Sequence, residues 1–244
     1  MVQDLDTAAL ADIGGFFALR TGRPPRAARP LTEAYALVPG GSDPLAVRVG
    51  LVTRRIGAPE ARVAVSLVQL GLAARIWSLH LGAAVLHGAL PDLDPARVRW
   101  DPEAATGEDL WVAEARLLPA DPEAVDRAVR GRHLDPLAAV LHRRYGLAEG
   151  LLHGNSGSAL AGALRELDRW AHRTGRPEAA ARARSLGDAL FADPLLAATG
   201  HREGTAFRRR SCCLYYRVPG GGVCGDCCFT RPPGTPGPGP VRGS

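Results

Sequence analysis

The sequence predicts an α+β, predominantly helical domain with a few strands, followed by a small C-terminal segment of different character. Three observations carry this. Apolar residues recur at helical spacing through long stretches of 61–90 and 155–193. A few short runs containing Val or Trp are bounded by turn residues, as strands are. Past Gly200 the periodicity stops, and Arg and Cys accumulate. With 244 residues, 46% hydrophobic content and only 5% aromatics, the chain has material for a sizeable core built mainly from aliphatic side chains on helices.

Taken in order, residues 5–20 read as a helix. Residues 21–43 hold Pro24, Pro25, Pro30, Pro39 and the Gly40-Gly41 pair, and read as mostly irregular connection. Residues 45–52, rich in Val and flanked by turn residues, read as a strand, and 97–100 with 110–117 as a strand pair. From Ala61 onward Val63, Leu67, Leu70, Ala74 and Trp77 make one helical stripe, and Val65, Val68, Leu72 and Ile76 make another. A helix apolar nearly all round belongs at the centre of the domain. A second helical segment over 79–90 is expected after a bend at 78–82. Asn155 or Ser156 is expected to cap a helix with Leu160, Leu164, Leu167 and Ala171 inward and Arg165, Glu166, Arg169 and Arg173 outward, ending at Gly175. Pro177 suits the first turn of a further helix that ends near Asp193-Pro194. These readings divide the chain into a main domain over 1–200, a cysteine-bearing segment over 201–230 and a Pro/Gly tail over 231–244 that is expected to be disordered.

All 30 basic residues are Arg, which with the abundance of Ala, Gly and Pro reads as codon usage of a high-GC genome. The net charge of +5 is entirely C-terminal. Residues 201–244 carry seven Arg against Glu203 and Asp226, and 1–200 are balanced. A neutral body with a short basic end argues against nucleic-acid binding, which favours a basic stripe across the folded domain. The acidic start, Met1 to Asp6, is unlike a signal peptide. The most apolar stretch, 63–90, is broken by Gln69, Arg75, His80 and His87, so no membrane insertion is expected. A cytoplasmic protein is the resulting expectation, and there clustered thiols serve as metal ligands more readily than as disulfides.

All five cysteines, Cys212, Cys213, Cys224, Cys227 and Cys228, fall within 17 residues. Cys224-Gly225-Asp226-Cys227 is a compact way to put two thiolates on one turn around one metal atom, and the glycines at 220, 221, 222 and 225 let the chain fold tightly there. The adjacent pair discriminates further. Structural zinc sites space their ligands by two to four residues, whereas neighbouring residues in extended backbone face opposite ways and suit a broader binuclear iron–sulfur cluster. A [2Fe-2S] cluster on four thiolates carries a charge of −2, becoming −3 with one added electron. Arg208, Arg209, Arg210 and Arg217 beside it would raise the reduction potential or dock a partner, and Asp226 would act the other way.

The run from Arg208 to Cys227 resembles the C-terminal signature of the FhuF-like ferric-siderophore reductases, Cys-Cys-x10-Cys-x-x-Cys. The resemblance covers only residues 208–227 of the 244. It implies that Cys212, Cys213, Cys224 and Cys227 bind a [2Fe-2S] cluster. It further implies that the protein passes single electrons to ferric iron held by a hydroxamate or catecholate siderophore, so that Fe(II) is released in the cytoplasm, and that 1–200 is the siderophore-docking domain. Cys228 departs from the four-cysteine pattern and reads as a bystander, a substitute ligand or an oxidation-sensitive thiol. No Gly-x-Gly-x-x-Gly stands between a strand and a helix, so electrons are expected from a separate reductase or ferredoxin. Two other readings of the cysteines are a zinc-knuckle-type basic binding module and a thiol-based redox or metal sensor.

Elsewhere the plainer readings prevail. His80 and His87 share a helix face without a third ligand and read as ordinary helix histidines. Trp77, Trp100, Trp111 and Trp170 are core anchors at least as readily as walls of a siderophore cleft. Residues 153–158 read as a helix cap rather than a ligand-contacting loop.

Overall fold

A computed structural model describes residues 5–36 and 43–233. The tail from Gly234 onward, the first four residues and the Pro39–Gly41 stretch lie outside the described residues.

The chain opens with a short helix, α1 (Thr7–Ala11), whose first turn is held by Asp6 accepting from the Ala9 amide at 2.9 Å. The helix predicted over 5–20 ends here. Gly14 and Gly15 interrupt it, and the chain continues through a 3₁₀ turn at Gly15–Phe17 into strand β1 (Arg20–Thr21). Strand β2 (Arg29–Pro30) and the single turn α2 (Leu31–Ala34) follow.

Residues 45–52 correct the strand expected there. They lie inside helix α3 (Pro44–Ile56). Asp43 caps it, accepting from Leu45 N at 2.9 Å and Ala46 N at 3.2 Å, Pro44 occupies the first turn, and Gly57 closes it in the left-handed region. The start and stop chemistry outweighs the β-propensity of the valines, which a packed helix tolerates because Leu45 and Val49 fall on one buried face.

Helix α4 (Ala61–His87) is the centre of the molecule, as its all-round apolar pattern predicts. Val63, Val65, Val68, Leu72, Ile76 and Trp77 are among its buried side chains, and each buried aliphatic of this size contributes about 1.5–3 kcal/mol. It continues as one helix through 78–82, where a break into a second helical segment is expected. Gly82 is there for close packing: a Cβ at that position would come within 2.7 Å of Leu10 and 2.9 Å of Phe17. Among the described residues it is the one helix long and apolar enough to cross a membrane, and 78% of its apolar window is buried inside the protein, the mark of a core helix.

Strands β3 (Ala89–Pro91), β4 (Arg99–Trp100), β5 (Leu110–Val112) and β6 (Leu117–Pro119) come next. The expected pair is present: β4 and β5 are antiparallel with Trp100 opposite Leu110, inside a four-stranded sheet ordered β1-β5-β4-β2, and β1 joins β5 in parallel. Residues 117–119 instead pair with β3. Beneath the sheet, Arg75 of α4 is 1% exposed and donates to Asp109 at 3.0 Å and to the carbonyls of Gly15, Phe16 and Ala18.

Helix α5 (Pro122–Asp126) passes through π-helical turns at Arg127–Leu134 into α6 (Asp135–Tyr145). Helix α7 (Glu149–Arg173) packs along α4, and α8 (Pro177–Phe191) along α7. Asn155 and Ser156 are not caps, since α7 begins at Glu149 and carries residues 153–158 in its interior. The turn α9 (Pro194–Ala197) leads to a hairpin, β7 (Gly200–Glu203) and β8 (Ala206–Arg209), in a region whose loss of helical periodicity gave no sign of strands.

The histidine on α4 that the sequence marks, His80, is a core residue with an unforeseen neighbour. Its Nδ1 lies 2.9 Å from the Ile76 carbonyl, and its ring is 6.1 Å from that of His133, which shares a 2.9 Å hydrogen bond with the Tyr35 hydroxyl. Burial pulls His80 down to about 4; burial and the proximity of His80 pull His133 down to about 3. Both imidazoles are therefore neutral when folded, while the unfolded chain protonates below about pH 6.5. Their contribution is intact above pH 6.5 and lost as pH falls toward those depressed values, at about 1 kcal/mol per pH unit for each. Urea unfolding at pH 6.5 and pH 5 is expected to show this loss, and His133→Phe to reduce the slope. Stability that is flat over this interval would refute it.

Candidate metal centre

The cysteines are positioned from two sides. Strand β8 alternates, with Phe207 and Arg209 inward and Ala206 and Arg208 outward, and delivers the chain to Ser211. Phe207 is buried with its ring 5.5 Å from Phe191, and the Arg210 amide is tied to the Thr199 carbonyl at 2.9 Å. On the return, the Cys224-Gly225-Asp226-Cys227 segment closes as a turn with Cys227 N bonded to Cys224 O at 3.0 Å. Asp226, 8% exposed, fastens that turn to the body: it accepts from Ser158 Oγ at 2.6 Å and Arg165 Nη1 at 3.1 Å, while its carbonyl accepts from the Arg209 amide at 2.9 Å.

Helices α4 and α7 form the floor. Ser66 Oγ donates to the Cys213 carbonyl at 2.8 Å, and the Asn155 amide nitrogen donates to the Ser66 carbonyl at 2.9 Å. The Asn155 side-chain oxygen accepts from Arg209 Nη2 at 2.5 Å. The segment can lie this close because α7 is bare at the contact. A Cβ at Gly154 would meet Ser211 Oγ at 2.0 Å, and one at Gly157 would meet Thr199 Oγ1 at the same distance. This run of small residues is what the 153–158 stretch provides, and it is the sequence signal that a cap reading misses.

All five cysteines are free thiols. The adjacent pair divides as expected of extended backbone: Cys213 is 1% exposed and Cys212 is half-buried. Leu214, the one non-glycine residue with positive φ among those described (68°), turns its amide back to Cys212 Sγ at 3.2 Å. The Phe229 amide lies 3.4 Å from Cys227 Sγ. Cys213 and Cys224 share a hydrogen bond with sulfurs 3.5 Å apart, which pulls the Cys213 thiol down to about 6 and pushes Cys224 up. Burial raises Cys212 to about 11 and also raises Cys228. Amides aimed at sulfur fit thiolates that bear negative charge. Among the described residues no three His, Cys, Asp or Glu side chains gather closely enough to hold a single ion.

The four arginines expected at this site part company. Arg208 and Arg210 are exposed, and Arg208 donates to the Cys228 carbonyl at 3.2 Å. Arg217 pairs with Glu60 at the start of α4 and with the Tyr216 hydroxyl. Arg209 alone is buried, at 2% exposure. Asp226, read from sequence as an opposing charge, is paired with Arg165. The tryptophans are mostly core: Trp77, Trp100 and Trp170 are buried, and Trp111 lines a cavity of about 490 Å³ with Arg97, Arg99 and Arg116.

A helical body thus carries a thiol-rich, arginine-flanked loop with amides turned toward two of its sulfurs. Residues 209–229 match the family model described as the FhuF 2Fe-2S C-terminal domain. The match covers this C-terminal segment alone, and it indicates a [2Fe-2S] cluster as the cofactor. No curated protein matches the chain.

Proposed function

We propose that the protein is a ferric-siderophore reductase acting in the cytoplasm, with Cys212, Cys213, Cys224 and Cys227 as the cluster ligands. The observation that supports this most is the family match over 209–229, on a loop that α4 and α7 hold with its thiols free. On this reading residues 201–230 are the cluster segment and the body preceding them is the docking domain. The bound cluster supplies a one-electron couple at the protein surface. An external one-electron donor, a ferredoxin or reductase, is oxidised by one electron, and siderophore-bound Fe(III) is reduced to Fe(II). Hydroxamate and catecholate oxygens hold the softer, less charged ferrous ion far less tightly, so it is released.

The chain's own residues supply placement and access. Asp226 and Ser66 fix the two halves of the loop, Cys213 is kept from solvent, and half-buried Cys212, Cys224 and Cys227 bring the site to the surface. Exposed Arg208 and Arg210 present positive charge to an acidic donor or an anionic chelate. No proton transfer at carbon or nucleophile is required, and neither nucleic acid nor membrane insertion enters.

The test uses protein purified without oxygen. Iron, acid-labile sulfide and zinc are measured with the visible spectrum before and after dithionite, and ferric siderophores are then offered to the reduced protein in the presence of a ferrous chelator. Equal iron and sulfide, a colour that bleaches on reduction and ferrous release from a siderophore are expected. A colourless protein holding one zinc would overturn the proposal.

A further inference from the structure

Of the charged side chains packed under the cysteine loop, Arg209 is the one whose charge is unanswered. It is 2% exposed, and no carboxylate among the described residues pairs with its guanidinium. The neighbouring carboxylate, Asp226, spends its oxygens on Ser158 and Arg165. By contrast, Arg75, the other arginine buried as deeply, has Asp109. Arg209 Nη2 is held by Asn155, but its Nε and Nη1 are buried without a hydrogen-bond partner among the described residues, and so is Ser211 Oγ two residues on. A buried cation with free N–H groups is costly unless an anion completes it. The cysteine loop is the neighbour that can supply one: Asn155 Oδ1 holds Arg209 Nη2, its amide nitrogen lies 3.2 Å from Ser66 Oγ, and that hydroxyl holds the Cys213 carbonyl.

The anchoring makes this position deliberate. Asn155 is fully buried in the interior of α7, where it also donates to Ser66, whose hydroxyl holds the Cys213 carbonyl. One asparagine thus fixes both the arginine and the backbone of an inner cysteine. Gly154 leaves the room in which Arg209 and Ser211 lie, since a Cβ there would approach both.

We infer that Arg209 is the buried countercharge of the cluster and that Asn155 is the residue that positions it, an inference that rests on the reading above and narrows its four arginines to one. Arg209 offsets the negative charge that grows when the electron arrives, in a site that water cannot screen. Arg208 and Arg210, in water, do so weakly.

The experiment is a spectroelectrochemical titration of the cluster-loaded protein. Arg209→Gln is expected to weaken electron uptake at least about tenfold, about 59 mV of midpoint potential for a one-electron couple. Arg210→Gln should change it less than about twofold, the mark of a screened surface charge. Asn155→Ala should shift the potential in the same direction as Arg209→Gln and add little in the double variant. An Arg209→Gln protein that keeps its cluster at an unchanged potential overturns the inference, as does an equal shift in Arg210→Gln. Should Arg209→Gln lose the cluster, Arg209→Lys and the urea midpoints of both apo proteins decide. Unchanged apo midpoints place Arg209 at the cluster, and an equal fall in both makes it a packing residue and overturns the inference. Iron and sulfide absent from the unaltered protein would instead refute the reading above.

Discussion

Cys224→Ser is expected to yield protein without a stable cluster, lacking both visible colour and acid-labile sulfide, and to lower ferric-siderophore reduction by more than about 100-fold, since even residues behind a metal ligand cost 10–100-fold. A serine oxygen is a harder and less readily ionised donor than a thiolate. Cys224 also ends the hydrogen bond that draws the Cys213 thiol down to about 6, so its loss removes one proposed ligand and leaves a second harder to ionise. The body should survive, because the turn it opens is tied down by Asp226 and not by the sulfur. Cys228→Ser is the matched control, with iron content and rate close to the unaltered protein. Retained iron, sulfide and activity in Cys224→Ser would strike Cys224 from the ligands, and loss of iron in Cys228→Ser would put that residue among them.

Arg75→Met is expected to be the most damaging change in the body. The side chain is 1% exposed, pairs with Asp109 at 3.0 Å and satisfies three carbonyls of the 15–18 turn. Methionine fills much of the volume but leaves Asp109 with Arg48 as its remaining cation, 3.7 Å away. Breaking a buried pair from one side costs about 3–5 kcal/mol, which in a chain of this size lowers Tm by on the order of 10 °C. Asp109→Asn in the same background should restore part of the loss, because it removes the stranded charge. A denaturation midpoint that moves by less than about 1 kcal/mol would show that the pair is not what holds the 15–18 turn against α4.

Both predictions concern residues that the sequence marks differently. The cysteines announce themselves, because spacing along a short loop is a local property and five thiols in 17 residues have few structural readings. Arg75 shows in the sequence only as an interruption of an apolar run, and its partner Asp109 lies 34 residues away. The same holds at the site. Asn155 and Ser158 read as part of a helix cap and Ser66 carries no mark in the sequence, since a buried polar side chain is recognised by what it touches and the touching residues are 54–147 positions apart in the chain.

The sequence by itself determined that the protein is mainly helical with a few strands, that 61 onward is its central helix, that 97–100 and 110–117 hold a strand pair, and that a [2Fe-2S] segment lies near the C-terminal end. The helices and strands follow from periodicity among near neighbours, and the cluster segment from cysteine spacing together with the family resemblance. Tertiary structure decided the rest: residues 45–52 are helix with Leu45 and Val49 buried in the core, and the central helix continues unbroken through Gly82, where Leu10 and Phe17 pack close. It also sorted the arginines. Strand alternation in β8 turns Arg209 inward and leaves Arg208 in water, and no composition or charge count distinguishes two adjacent arginines. Charge acts strongly where water is excluded, and which residue is buried is settled only when helices α4 and α7 meet the loop.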